Sequence, residues 1–168
     1  MALGSKSRWV IMGVSGCGKS TIGAALAAAF EVPFLEGDRY HPADNVAKMS
    51  AGIPLDDDDR AGWLQVLADA IRDARAQDDG LVLSCSSLKR RYRDLLREAD
   101  PGLRFVHLHG PRELIAQRMQ ARVGHYMPGS LLDSQLSILE PLQADEAGLS
   151  LDLALPPPVL VAHITESL

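Results

Sequence analysis

The sequence predicts an α/β fold in which helices flank a parallel sheet. Two observations support this prediction. Short apolar runs typical of strands alternate along the 168 residues with segments of helical periodicity. The runs are apolar almost throughout, which is typical of strands that are covered on both faces. The length suits one domain with a sizeable core, so we expect residues 1–168 to form a single domain.

Five strands are predicted, at residues 8–12, 33–36, 81–84, 103–109 and 149–153. Helical patterns lie between them at residues 21–29, 60–76, 88–99, 111–122 and 131–140, and a last helix follows the prolines at 156–158. Four aspartates at 56–59 precede the helix predicted at 60–76, where the helix dipole favours negative charge. We interpret this run as the cap of that helix, with a metal site as the less favoured alternative.

A glycine-rich loop joins the first strand to the first helix and matches the phosphate-binding pattern G-x-x-x-x-G-K-[ST]. Its backbone N–H groups and the helix N-terminus are suited to bind the phosphates of ATP. Lys19 can reach the β- and γ-phosphates, and the Ser20 hydroxyl can bind Mg²⁺. The predicted ATP-binding residues of the loop are Gly13, Val14, Ser15, Gly16, Cys17, Gly18, Lys19, Ser20 and Thr21.

A second candidate site follows the second predicted strand, where Glu36, Asp38 and His41 stand close together. Ligands of open α/β sheets bind at the carboxyl ends of the strands. Asp38 could accept the proton of an attacking hydroxyl, and Glu36 could hold Mg²⁺ through water. The alternative is an ordinary turn, because Gly-Asp is a common turn pair.

Two clusters of basic residues are candidate anion sites. Arg118 and Arg122 stand four residues apart on the predicted helix that leads into a segment, about 122–130, that we interpret as a mobile lid, with a plain connector as the alternative. At least one of them is expected to stabilise charge in a transition state, the alternative being two solvated side chains. Lys89 is expected to bind an anionic substrate, while Arg90 and Arg91 fit a solvated helix face equally well. His107, His109 and Cys85 are interpreted as structural.

Composition argues against several other classes of protein. The net charge is −5, so no basic face for nucleic acid is expected. The two cysteines lack a paired spacing, which favours a reducing, cytoplasmic setting. The apolar stretch at residues 9–12 is too short for a signal peptide, and no segment is long enough to span a membrane.

Several longer segments together resemble the short P-loop gluconokinases, which are relatives of shikimate kinase. The matching segments are residues 13–21, 36–42, 45–60, 84–90, 118–128, 134–136 and 139–142. The resemblance implies ATP-dependent phosphorylation of D-gluconate at its 6-hydroxyl and a nucleoside-monophosphate-kinase-like fold with a closing lid. Family members are often homodimers. Two departures are small: Tyr126 stands where phenylalanine is usual, and Ser87 where alanine is common.

The resemblance also implies roles for individual residues. Asp38 would contact the accepting hydroxyl, and Arg60 could pair with the carboxylate of the sugar acid, with help from Lys89. Arg118 and Arg122 would contact the nucleotide. The implied catalytic residues are Lys19, Asp38 and Arg122, and the implied substrate-binding residues are Asp38, His41, Arg60, Lys89 and His125.

Two other functions are compatible with the motifs. One is another small-molecule kinase on the same scaffold, such as a shikimate or adenylylsulfate kinase. The other is a nucleotide-binding module without a phosphate acceptor, which would not need the segments around His41 and His125.

Overall fold

The computed structural model describes residues 3–121 and 129–168. A parallel sheet of five strands lies at its centre, in the order β2-β3-β1-β4-β5. The strands are β1 (Arg8–Met12), β2 (Phe34–Glu36), β3 (Leu81–Ser84), β4 (Arg104–His109) and β5 (Gly148–Asp152). Each lies within one residue of its predicted bounds, which confirms the parallel sheet expected from the apolar runs.

Helices cover the sheet. They are α1 (Lys19–Phe30), α2 (Ala43–Ser50), α3 (Asp57–Ala76), α4 (Arg90–Ala99), α5 (Arg112–Ala121), α6 (Gly129–Ile138) and α7 (Pro157–Glu166), with a 3₁₀ turn at Gly37–Tyr40. The lid predicted at about 122–130 falls mainly on residues 122–128, outside the described residues, and its last two residues begin α6. Among the described residues, no helix combines the length and hydropathy needed to cross a membrane.

The structure adds α2 and the 3₁₀ turn, which the sequence analysis did not predict. Helix α2 is only eight residues long, and its buried residue is the polar Asn45. Val46 beside it is 48% exposed. The apolar periodicity on which helix prediction depends is therefore missing from this segment.

The acidic run at 56–59 caps a helix, as expected. Asp56 accepts the backbone N–H of Asp59 at 2.7 Å, and the Asp59 carboxylate accepts the N–H of Asp56 at 3.0 Å. This reciprocal pair is a capping box. It begins α3 at Asp57, three residues earlier than the predicted start at residue 60.

The core holds two of the side chains that the sequence analysis interpreted as structural. Burial raises the pKa of the Cys85 thiol to about 11, so this cysteine is a neutral core residue. Burial also lowers the pKa of His107 to about 4, with His109, Arg93 and Lys19 adding to the effect. Both side chains therefore stay uncharged near neutral pH.

A buried ion pair fixes the segment between α6 and β5 onto α4. The Arg93 guanidinium donates to both carboxylate oxygens of Glu146, at 2.7 and 2.9 Å, and to the Ser87 carbonyl at 2.9 Å. Arg97 also bonds Glu146. We call Arg93, Arg97 and Glu146 the α4 clamp; it holds this segment against α4.

Candidate active site

The glycine-rich loop runs from the end of β1 at Met12 to the start of α1 at Lys19. Gly16 and Gly18 have φ angles of 82° and 98°, a left-handed conformation that other residues rarely adopt. Lys19 is only 8% exposed, and its ammonium donates to the Val14 carbonyl at 3.0 Å. The lysine is thus held over the loop, where its charge adds to that of the helix N-terminus.

A cavity of about 370 Å³, here called the loop cavity, opens over this loop. Its polar and charged lining comes from loop residues 15–21 together with Asp38 and Arg118. Its apolar lining includes Leu153, Leu155, Pro157 and Leu160. The cavity therefore offers both N–H groups and cations and an apolar surface, which suits a phosphate chain attached to an aromatic base.

A second cavity of about 190 Å³, here called the adjacent cavity, shares Ser15, Lys19 and Asp38 with the first. Its walls come from the 3₁₀ turn, α2, α3 and α6. The polar and aromatic lining residues include Asp38, His41, Arg60, Trp63, Ser134 and Gln135. The structure thus brings the predicted acceptor-side residues Asp38, His41 and Arg60 to one cavity that meets the phosphate loop.

Glu36 lies at the carboxyl end of β2, beside the first turn of α1. Its carboxylate accepts hydrogen bonds from the Ser20 hydroxyl and, at 2.6 Å, from the Ser84 hydroxyl. The predicted Mg²⁺ residues Ser20 and Glu36 are therefore in direct contact. Together they present oxygen donors next to the phosphate loop, and oxygen donors are the ligands that Mg²⁺ prefers.

The turn that carries Asp38 packs tightly on the end of β3. A Cβ atom at Gly37 would lie 2.0 Å from the Ser84 carbonyl oxygen, so only glycine fits there. The Gly37 N–H donates to the Ser84 hydroxyl at 3.2 Å, and its carbonyl accepts Trp63 Nε1–H at 2.8 Å. These contacts fix the backbone beneath Asp38, whose own side chain is 64% exposed.

His41 follows that turn and stacks on Trp63, with ring centroids 4.0 Å apart and an interplanar angle of 17°. Its Nε2 lies 4.0 Å from Asp38 Oδ1. Burial lowers the pKa of His41, an effect that Asp38 opposes and Arg60 reinforces. The ring is therefore neutral at neutral pH.

Arg60 is a buried cation, 7% exposed, at the inner wall of the adjacent cavity. Its Nη1 donates to the Leu55 carbonyl at 2.8 Å and to the Tyr92 hydroxyl at 3.2 Å. Both partners are neutral, and within the described ranges no carboxylate forms an ion pair with Arg60. A buried guanidinium without a counter-ion favours an anion in the cavity it faces.

Lys89 is paired with a carboxylate in the structure, and its role toward the substrate stays a prediction. It donates to Asp57 at 3.0 Å and stands outside the lining of both cavities. Asp57 also pairs with Arg91 at 2.8 Å, and Arg90 pairs with Asp145 at 2.7 Å. The acidic first turn of α3 and the segment before β5 thus neutralise this basic cluster, which the sequence alone could not indicate.

Three predicted site residues remain, and the structure describes one of them. Arg118, on α5, lines the loop cavity. Arg122 and His125 lie outside the described residues.

Gln135 on α6 was given no role by the sequence analysis, yet it touches the phosphate loop. Its carbonyl oxygen accepts the Ser15 backbone N–H at 2.8 Å, and its amide nitrogen lies 3.3 Å from the Ser15 hydroxyl. The segment at 134–136 belonged to the resemblance, but an amide side chain carries no obvious chemistry. Trp63, which lines the adjacent cavity, was likewise given no functional role.

Comparisons with known proteins agree with this geometry. The model of the shikimate kinase family matches residues 15–128 of the chain. The thermosensitive gluconokinase of Escherichia coli is 49% identical over 138 residues, which are 82% of this chain and 74% of that protein.

Two solved structures are similar over nearly the whole chain. A gluconokinase from Sinorhizobium meliloti superposes with a TM-score of 0.86 at 43% identity, covering 99% of this chain and 97% of that one. A sugar kinase from Janibacter sp. has a TM-score of 0.90 at 46% identity, covering 95% and 92% of the two chains. The phosphate loop, the adjacent cavity and these similarities together show that the chain belongs to the gluconokinase family, within the wider shikimate kinase group of P-loop kinases.

Proposed function

We propose that this protein transfers the γ-phosphoryl group of ATP to the 6-hydroxyl of D-gluconate, giving 6-phosphogluconate and ADP. The observation that carries the proposal is the buried, unneutralised guanidinium of Arg60 in a cavity that meets the loop cavity at Asp38. An acceptor with a carboxylate at one end and a hydroxyl at the other suits that arrangement. The names of the E. coli and S. meliloti relatives support gluconate as this acceptor.

ATP would occupy the loop cavity. The loop N–H groups and Lys19 would bind its phosphates, Arg118 would add positive charge, and the apolar lining around Leu153 and Pro157 would receive the base. Arg122 would add further charge near the transferred group, as the resemblance implies. In this arrangement catalysis depends on positioning and on electrostatic stabilisation.

Ser20 and Glu36 fit a Mg²⁺ ion that accompanies the nucleotide. The hydroxyl would bind the ion directly, and the carboxylate would bind it through water, because Mg²⁺ keeps several of its waters. When bound, the ion would neutralise charge on the phosphates.

Gluconate would occupy the adjacent cavity, its carboxylate on Arg60 and its 6-hydroxyl at Asp38. Asp38 orients the hydroxyl and takes its proton as the oxygen attacks phosphorus. A bond from O6 to the γ-phosphorus forms, and the bond from that phosphorus to the bridging oxygen of ADP breaks. His125 would close the cavity from the predicted lid. The homodimer and the cytoplasmic setting stay predictions.

The test is coupled ADP release from the purified protein with ATP and Mg²⁺, measured with and without D-gluconate. We expect gluconate to accelerate ADP release strongly and phosphorus NMR to show a phosphomonoester on the terminal carbon. Shikimate and adenylylsulfate, tested in the same assay, should give no acceleration. The Lys19→Ala variant is the negative control and should lose nearly all turnover.

Two outcomes would contradict the proposal. If gluconate does not accelerate ADP release, the protein is a nucleotide-binding module. Preference for shikimate or adenylylsulfate would assign the same scaffold to another kinase.

A further inference from the structure

Asn45 is a buried polar residue that the proposed chemistry does not use. It is 3% exposed, although it lies on α2, whose other residues are exposed or half-buried. Its amide nitrogen donates to the Asp59 carbonyl at 2.8 Å and lies 3.2 Å from His41 Nδ1. Such a side chain is placed by what it bonds, not by burial of apolar surface.

The Asp59 carbonyl fixes which way the amide points. A backbone carbonyl only accepts hydrogen bonds, so the group that faces it must be the NH₂ group and not the amide oxygen. That group has two hydrogens. One goes to Asp59, and the other points to His41 Nδ1.

His41 Nδ1 must therefore accept a hydrogen bond. In a neutral imidazole the nitrogen that accepts carries no proton, so the proton is on Nε2. Ring stacking on Trp63 keeps the imidazole in this orientation, with Nε2 on the side of Asp38. The charged groups that face the ring are Asp38 and Arg60, and burial together with Arg60 keeps it neutral.

We propose that Asn45 is a positioning residue that holds His41 as the Nε2–H tautomer. His41 then donates a hydrogen bond into the adjacent cavity, while Asp38 remains the group that accepts one. The two residues divide the roles of donor and acceptor toward a polyol. This assignment rests on the proposed function for the identity of that polyol, but the tautomer itself does not depend on it.

The same network gives the acidic run at 56–59 a second role. The Asp59 carboxylate caps α3 and binds Lys48 at 2.8 Å, while its carbonyl oxygen orients Asn45. The start of α3 is thus connected through Asn45 to the ring of His41. A segment that the sequence indicates as a helix cap also sets the hydrogen-bonding state of a cavity residue.

The first test is direct. Long-range proton–nitrogen NMR spectra distinguish the two tautomers, because protonated and unprotonated ring nitrogens resonate far apart. The His41→Gln variant assigns the signal. We expect the Nε2–H pattern for His41 in the unmodified protein at pH 8. An Nδ1–H pattern would overturn the proposal, whatever the activity of the protein.

The second test is a double-mutant cycle. Asn45→Asp has the same shape but only accepts hydrogen bonds, so it should move the ring proton to Nδ1 and lower kcat/KM for gluconate about tenfold. In the His41→Gln background the amide nitrogen of glutamine takes the place of Nε2 and does not depend on Asn45. There, Asn45→Asp should change kcat/KM less than twofold.

A matched control separates this role from support of the helix. Lys48→Met also removes a contact between α2 and Asp59 but does not touch His41, so we expect kcat/KM within twofold of the unmodified protein. Equal losses from Asn45→Asp in both backgrounds, or a tenfold loss from Lys48→Met, would show that Asn45 only supports the helix and would overturn the proposal. If gluconate fails to stimulate the enzyme, the proposed function fails, and the NMR result still decides the tautomer.

Discussion

The adjacent cavity and the α4 clamp each bury an arginine, but the two arginines differ in whether a carboxylate neutralises the charge. In the clamp, Arg93 is fully buried and donates to both oxygens of a fully buried Glu146. In the cavity, Arg60 is almost as buried, and among the described residues its hydrogen-bond partners are a carbonyl and a hydroxyl.

This difference distinguishes a buried arginine that supports the fold from one that is available to bind a ligand. A buried pair that is complete gives little net stability, but its loss leaves a buried charge and is strongly destabilising. A buried cation without a counter-ion destabilises the free protein, and this cost is compensated when an anion binds. The exposed carboxylate of Asp38 belongs with Arg60 in the second group, because the ion-pair partner that the described residues offer it is a neutral histidine, His41, at 4.0 Å.

The largest effect is expected at Asp38. Asp38→Asn keeps the shape of the side chain but cannot take the proton, so kcat should fall about a thousandfold, roughly 4 kcal/mol. ATP affinity, measured by titration calorimetry, should change little. Asp44→Asn, an exposed aspartate on α2, is the control and should retain normal kcat. A loss confined to ATP affinity would remove Asp38 from the acceptor side.

A substitution in the α4 clamp should lower the stability of the protein and leave substrate binding unchanged. Glu146→Gln leaves Arg93 and Arg97 without their carboxylate, and we expect the free energy of unfolding in urea to fall by about 3 kcal/mol. The KM for gluconate should stay within twofold. Asp145→Asn next to it breaks an exposed pair with Arg90 and should change stability by less than about 1 kcal/mol. Equal effects at the two positions would contradict the distinction.

Arg60→Met tests the unpaired arginine of the adjacent cavity, where we expect an effect on substrate binding and not on stability. Loss of a charge-assisted pair with the substrate should raise the KM for gluconate about a hundredfold, roughly 2.7 kcal/mol, with the KM for ATP unchanged. The free energy of unfolding should not fall as it does for Glu146→Gln. Arg72→Met, an exposed arginine on the same helix, is the control. An equal rise in both KM values would place Arg60 outside the acceptor site.

The smallest effect is expected at His107, a buried histidine that is neutral in the folded protein, and it is an effect on the pH dependence of stability. Its pKa is about 4 in the folded protein and about 6.5 when unfolded, so the unfolded chain binds the proton more readily between these values. The free energy of unfolding should therefore fall by on the order of 2 kcal/mol from pH 6.5 to 4. His107→Gln should flatten this slope but not remove it, because His41 contributes in the same direction. Parallel stability curves would contradict the assignment.

The sequence was a good guide to the nucleotide side and a poorer one to the acceptor side. The phosphate loop acts through backbone N–H groups, so its motif specifies its geometry wherever a strand precedes it and a helix follows. The strands were equally clear, because burial on both faces leaves a continuous apolar run. Residues 122–128, with Arg122 and His125, are not described, so the structure adds nothing to their predicted roles.

The acceptor side depends on partners that are distant in the chain. Lys89, which is predicted to meet the substrate, also pairs with Asp57, 32 residues away in the chain. Gln135 reaches Ser15 across 120 residues, and neither residue type indicates such a contact. Helix α2 gave no apolar pattern because its buried side chain is an amide. Pairing of charges and amides is decided by tertiary packing, which a local pattern does not contain.

The shared wall of the two cavities has a consequence for inhibitor design. Ser15, Lys19 and Asp38 line both spaces, so the two cavities are direct neighbours in the part of the chain that the structure describes. A bisubstrate compound, in which an aldonic acid is tethered to adenosine polyphosphate, needs only a short linker. Its second half then binds at an effective concentration in the millimolar range or above, which raises avidity without any new contact.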